Sequence, residues 1–197
     1  MDTDRKLRGI AIATTGLMLL FGLLGNGPST YRFAILFLGP MLWAVYYFRR
    51  PLALEPVGFG LFAFAMLLHD LGAFGFYRRD FAGIEFDFYV HFYFGFAGAY
   101  LLANTFAAKM RWEGAALWVG TTLAILGIGA IHELVEYATT LALGPEKGML
   151  KINDPDKFDT QKDLLNNLMG TLLALAVRQF FSRRRPGELQ RPSSELY

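Results

Sequence analysis

The sequence predicts an all-α membrane protein, a polytopic bundle of about six transmembrane helices. Composition is the first observation behind this fold class, since 54% of the 197 residues are hydrophobic and only 18% are charged. Soluble domains carry roughly 25% charged residues, so this chain has too little polar surface to cover a water-soluble globule. The second observation is a mean hydropathy of +0.32. The third is a series of apolar segments close to the roughly 20 residues that a helix needs to cross a bilayer.

Six such segments lie at residues 7–25, 31–48, 56–74, 84–107, 115–143 and 163–181. They lack the alternation of barrel strands, and only helices or closed barrels satisfy their backbone groups in lipid. The first segment follows basic residues, as a signal peptide would. Because a second span follows at once and no small-residue cleavage pattern precedes it, a retained helix is favoured. We predict one six-helix transmembrane domain over residues 1–185 and a short disordered cytoplasmic tail over 186–197.

Basic residues give the orientation of the chain. When the segment ends are numbered alternately, most arginines and lysines fall on one side, which is therefore cytoplasmic by the positive-inside rule. This side carries Arg5, Lys6, Arg8, Arg49, Arg50, Lys109, Arg111, Arg183, Arg184 and Arg185. The sequence thus predicts a multi-pass protein of the plasma or inner membrane with both termini in the cytoplasm. We interpret these basic clusters as signals that orient the chain in the membrane, and no nucleic-acid partner is predicted.

Ionisable residues within the apolar segments mark the candidate site. Asp87 and His91 are spaced i, i+4, as are His132 and Glu136, so each pair shares one helix face. All three histidines have a carboxylate beside them or one turn away. Lipid excludes carboxylates, so these faces should turn toward one another. The full set is His69, Asp70, Asp87, His91, His132, Glu133, Glu136, Asp159, Asp163 and Asn167.

Helix direction predicts a common depth for this set. At 1.5 Å per residue, His69 and His132 lie near the outer ends of helices that start at the cytoplasmic side. The fourth and sixth helices run the other way, so Asp87, His91 and Asp163 lie near the outer boundary as well. Four helices should therefore deliver polar groups to one layer near the outer leaflet.

Imidazole and carboxylate without thiolate suit a divalent metal such as zinc, iron or manganese, and the chain has no cysteine. The predicted function is a metal-dependent hydrolase that acts on a membrane lipid or a cell-envelope precursor. Glu133 or Glu136 would be the general base on metal-bound water, with Asp70 and Asn167 as further polar groups. The predicted metal ligands are His69, Asp87, His91, His132, Asp159 and Asp163.

Two other interpretations stay open. The same acids could relay protons or cations in a transporter or ion-coupled binding protein, or the group could be a structural polar network. A transport path also needs polar groups toward the cytoplasm, where the sequence offers little beyond Asn104 and Thr105. Burying so many ionisable groups costs several kcal/mol unless they are paired or metal-bound, which favours a functional site.

Three motifs carry a resemblance to known families. They are Phe-Asp-x-x-x-His-Phe at residues 86–92, Glu-x-x-Glu at 133–136 and Asp-Thr-Gln-Lys-Asp at 159–163. In order and spacing they resemble the YjdF-like inner-membrane proteins. More distantly, the paired Asp87 and His91 and the Asp-x-x-x-Asn-x-x-Gly run ending at Gly170 resemble VanZ-like proteins. The resemblance implies a multi-helix membrane protein linked to glycopeptide tolerance and the cell envelope, without an established reaction.

Overall fold

A computed structural model describes residues 2–27, 32, 34–144 and 158–183 of the chain. The predicted all-α class is confirmed, because six α-helices account for most of these residues. The helices are α1 (Thr3–Leu24), α2 (Ile35–Tyr47), α3 (Pro56–Asp70), α4 (Phe86–Thr105), α5 (Gly114–Leu143) and α6 (Asp159–Arg183). The predicted tail lies outside the described residues.

Helix length and hydropathy together divide the six predicted spans into two groups. Four helices are long and apolar enough to cross a membrane, namely α1, α3 with the 3₁₀ turn Leu71–Phe74 that continues it, α5 and α6. Helix α2 has only 13 residues and contains Pro40. Helix α4 has 20 residues, but Asp87, His91 and several tyrosines lower its hydropathy. Membrane crossing by α2 and α4 therefore stays a prediction.

Helix α4 is the central helix of the bundle. It packs against α3, α5 and α6, whereas α1 packs against α2 and α3. The largest apolar core joins α1, α2, α3 and α4, with Met18, Leu42, Phe59 and Met66 almost fully buried. A smaller apolar layer of Ala99, Ile125 and Ala174 joins α4, α5 and α6 deeper in the bundle.

The crossing of α4 and α6 depends on two glycines. A Cβ atom at Gly170 would lie 2.8 Å from the Phe96 amide nitrogen and closer still to the Phe92 carbonyl oxygen. A Cβ at Gly95 would likewise overlap the backbone of Asn167. Small residues let helix backbones approach closely in membranes. This approach sets the first half of α6 directly against the first half of α4.

A short hairpin precedes α4 and was not anticipated from the sequence. Strand β1 (Asp80–Phe81) pairs antiparallel with β2 (Ile84–Glu85). The two residues between them, Ala82 and Gly83, both have positive φ, as two-residue hairpin turns of type I′ require. The Tyr89 hydroxyl donates a hydrogen bond to the Phe81 carbonyl at 2.9 Å. The hairpin thereby fixes the beginning of α4, whose first turn contains Asp87.

Candidate functional site

Asp87, His91 and Asp163 form the centre of the candidate site. His91 Nε2 lies 3.5 Å from Asp87 Oδ1 and 3.7 Å from Asp163 Oδ2. One nitrogen and two carboxylate oxygens thus converge, all within 4.8 Å of one another. The i, i+4 spacing on α4 supplies the first pair, and the close crossing of α6 brings Asp163 to it. These three side chains could hold a metal ion.

Asn167 supports His91 from the far side of the ring. Its Nδ2 atom lies 3.5 Å from His91 Nδ1, while its Oδ1 atom has no hydrogen-bond partner among the described residues. Gly129 on α5 makes room for this amide, since a Cβ there would lie 2.8 Å from Asn167 Nδ2. The Asn167 side chain is fully enclosed by α4, α5 and α6, so it can hold the imidazole in one orientation.

His132 and His69 lie beside this centre. The rings of His91 and His132 have centroids 5.8 Å apart, and those of His69 and His132 are 6.1 Å apart. His132 Nε2 lies 3.2 Å from Glu136 Oε1, as the i, i+4 spacing on α5 predicts. All three imidazoles therefore occupy one region. Within the described part of the chain, however, His69 and His132 do not share a convergent set of ligand atoms with Asp87, His91 and Asp163.

Glu133 reaches the first turn of α6. Thr160 Oγ1 donates a 3.0 Å hydrogen bond to Glu133 Oε2. The other oxygen, Oε1, is buried without a hydrogen-bond partner among the described residues. Thr160 lies three residues before Asp163 on the same helix face. This hydrogen bond therefore holds the Glu133 carboxylate one helical turn from the centre of the site, and its Oε1 atom is left as an acceptor.

The two remaining predicted residues lie outside the convergent group of ligand atoms. Asp159 is the first residue of α6 and is partly buried. Asp70 is completely buried at the end of α3, and neither of its carboxylate oxygens has a hydrogen-bond partner among the described residues.

An apolar cavity of about 160 Å³ adjoins the polar centre. His69, His91, His132 and Asn167 form its polar wall. Helices α2 to α5 provide the rest of the lining, which includes Phe37, Met66, Phe94, Ile128, Ile131 and Val135. Small-molecule sites in proteins commonly combine such a hydrophobic lining with a few convergent polar groups.

Toward the C-terminal ends of α4 and α6, a further polar contact joins these helices. Arg178 Nε donates a 2.8 Å hydrogen bond to Asn104 Oδ1. The apolar layer of Ala99, Ile125 and Ala174 separates this pair from Asn167 and Asp163. The polar residues along α6 are therefore interrupted rather than continuous.

Sequence reasoning missed the roles of Thr160 and Tyr77. The ring of Tyr77 lies 5.6 Å from the ring of His69. Thr160 shares a helix face with Asp163 and Asn167, so its i, i+3 spacing was a usable signal. Tyr77 belongs to a 3₁₀ turn (Phe76–Arg78), and no periodicity in the sequence places it beside a histidine.

These features define a polytopic helical membrane protein with a buried carboxylate and imidazole group on facing helices. Comparison with protein families agrees with this class. Residues 8–184 match the family described as "Predicted membrane protein (DUF2238)". The match extends over most of the chain, so this protein belongs to that family. No curated protein and no solved structure matches the chain.

Proposed function

We propose that this protein is a metal-dependent membrane hydrolase that acts on a lipid or cell-envelope precursor at the outer leaflet. The convergence of Asp87 Oδ1, His91 Nε2 and Asp163 Oδ2 carries the proposal. Catalytic zinc sites typically have three protein ligands and one open position. Imidazole with carboxylates also suits iron and manganese. The neighbouring histidines and the apolar cavity then give a substrate a place next to the ion.

Asn167 would orient the ligating imidazole. Histidines that bind metal usually donate the other ring N–H to a nearby acceptor. With the Asn167 amide turned so that Oδ1 faces His91 Nδ1, the imidazole carries its proton on Nδ1. The lone pair of Nε2 then faces the two aspartates. The buried Oδ1 atom, which otherwise has no partner among the described residues, would gain one by this rotation.

Glu133 is the better of the two general-base candidates. Its Oε1 atom is a buried acceptor that can take the proton of an attacking water, while Thr160 holds Oε2. Glu136 instead faces His132 at 3.2 Å. His132 next to Glu136 would then be placed to return a proton to the leaving group. A positioned acid or base of this kind typically contributes 10²–10⁴-fold to the rate.

The alternative is an ion-coupled transporter or binding protein. The contact of Arg178 with Asn104 favours it, because a polar group does occur toward the cytoplasmic side. The intervening apolar layer of Ala99, Ile125 and Ala174 opposes it, since a relay needs polar groups in hydrogen-bonding succession. A structural polar network is the third interpretation.

A turnover assay tests the hydrolase. Purified protein in vesicles of phosphatidylglycerol and phosphatidylethanolamine should release a cleaved product that a chelator stops and added zinc or manganese restores. Glu133→Gln should lower this rate by about 10²-fold or more. Glu113→Gln, at an exposed carboxylate before α5, is the matched control and should not change it. Chelator-insensitive turnover, or equal rates for both variants, would contradict the proposed chemistry.

Orientation can be tested by labelling, because the natural chain has no cysteine. We propose that both termini are cytoplasmic, which places the hairpin outside the cell. A cysteine at Ala82, in the exposed hairpin turn, should react with an impermeant thiol reagent in intact cells. A cysteine at Arg50 should react only after permeabilisation. The reverse pattern would place the polar layer at the cytoplasmic leaflet.

A further inference from the structure

The cavity beside the histidines has the dimensions and lining of a site for hydrocarbon. Apolar cavities of roughly 150 Å³ stay dry and can bind apolar molecules such as benzene. This cavity has about the same volume. Its walls away from the polar centre are formed by side chains such as Met41, Met66 and Phe94. Water would gain few hydrogen bonds there, whereas an alkyl chain would replace lost packing contacts.

The cavity wall is continuous with the outer surface of the bundle. Phe37 on α2 and Ile128 and Ile131 on α5 line it, yet they are 51%, 41% and 63% exposed. In a helix bundle that spans a membrane, such exposed apolar side chains face the lipid chains. An occupant can therefore enter sideways from the hydrocarbon region without crossing water.

Two arginines lie at the same end of the bundle as the site. The ring of Tyr77 contacts His69, a wall residue of the cavity, and Arg78 follows Tyr77 directly. Arg78 and Arg79 border an open polar depression that also includes Asn26. The Arg79 guanidinium lies 5.4 Å from the centre of the Phe76 ring. Both arginines are exposed, and neither forms a salt bridge with a carboxylate of the described residues.

We propose that the site binds one anionic glycerophospholipid of the bilayer, with part of an acyl chain in the cavity and its phosphate at Arg78 and Arg79. Guanidinium groups bind phosphate oxygens in bidentate fashion. The ester region of such a lipid, which lies between phosphate and chain, would then be next to His69, His91 and His132. This inference deepens the proposed hydrolase by naming its substrate class.

Binding can be measured without turnover. The full-length protein is delipidated in detergent, treated with chelator and titrated with phosphatidylglycerol or phosphatidylcholine, with bound lipid counted by native mass spectrometry. We expect one tightly held phosphatidylglycerol and a preference of about tenfold over phosphatidylcholine. Both lipids carry the phosphate, but only phosphatidylglycerol has a net negative charge to attract the two arginines, because the choline group cancels the charge in phosphatidylcholine.

Paired variants identify the cavity as the binding site. Ile128→Trp fills it from an exposed position and should weaken phosphatidylglycerol binding at least tenfold. Leu123→Trp, at a 65% exposed position on the same helix but outside the cavity lining, should change binding by less than twofold. The double change Arg78→Gln with Arg79→Gln should remove the preference for phosphatidylglycerol. Lys109→Gln, which changes an exposed lysine four residues beyond the opposite end of α4, should leave this preference unchanged.

Equal binding by the two tryptophan variants would overturn the proposal, as would a parent protein without preference for phosphatidylglycerol. Since no reaction is needed, this outcome is separate from the fate of the hydrolase. If Ile128→Trp weakens phosphatidylglycerol binding but the parent shows no turnover, the protein is a lipid-binding protein and not a hydrolase. Turnover that a chelator stops but that Ile128→Trp does not change would indicate a hydrolase with another substrate.

Discussion

Gly170→Ala is expected to destabilise the bundle more than the same substitution at any other glycine that the structure describes. The new Cβ would overlap the Phe92 carbonyl oxygen and approach the Phe96 amide nitrogen, and neither backbone atom can move without bending α4. Overpacking typically costs about 1–3 kcal/mol and sometimes more. The midpoint of thermal unfolding in detergent should fall by about 5–10 °C, on the scale found for soluble chains of this size.

Gly127→Ala is the matched control for this change. Gly127 lies in the middle of α5, and nothing stands within 4 Å of a Cβ built there. Replacing glycine by alanine within a helix is favourable by up to about 1 kcal/mol, so this variant should be as stable as the parent or slightly more stable. Equal destabilisation by both changes would mean that α4 and α6 do not cross at Gly170.

The pairs within single helices could be predicted from the sequence, because helical geometry fixes them. Asp87 with His91 and His132 with Glu136 follow from i, i+4 spacing alone, and the structure has each pair within 3.5 Å. The six helices could likewise be located from hydropathy. The predicted start of α6 was less accurate. The helix begins at Asp159 rather than Asp163, because its polar first turn has the composition of a loop.

Specific side-chain contacts between helices could not be predicted from the sequence in the same way. The approach of Asp163 to His91 depends on Gly95 and Gly170, whose partner helix a single sequence does not specify. The hydrogen bond from Thr160 to Glu133 depends on the same crossing. The hairpin formed by Asp80–Phe81 and Ile84–Glu85 could not be predicted from the sequence, because strands of two residues are too short to show an alternating pattern.

His91→Ala is expected to abolish metal binding. It removes the nitrogen on which both aspartates converge, and two carboxylates alone are a weak site for zinc. The helices should still assemble, since packing and small-residue contacts hold them together. Elemental analysis of the purified variant checks this result. Asp163→Asn, which keeps the shape of the side chain but removes its charge, should also lose the ion.

His69→Ala is the matched control, because His69 belongs to the same layer without sharing the convergent ligand atoms of the centre. It should keep the metal. If the group were a structural polar network, His91→Ala would instead remove the imidazole that faces both aspartates. The cost, roughly 1–3 kcal/mol per unsatisfied group, would then appear as lost thermal stability from a parent that never held an ion.

The metal content of the parent protein tests the central claim most directly. Protein purified gently, without chelators, is analysed for zinc, iron and manganese, then again after each ion is supplied and the excess is removed. The proposed centre of Asp87, His91 and Asp163 predicts about one divalent ion per chain, lost on chelation and regained on resupply. A parent that is metal-free on purification and remains so after all three ions are supplied would contradict the metal-dependent mechanism.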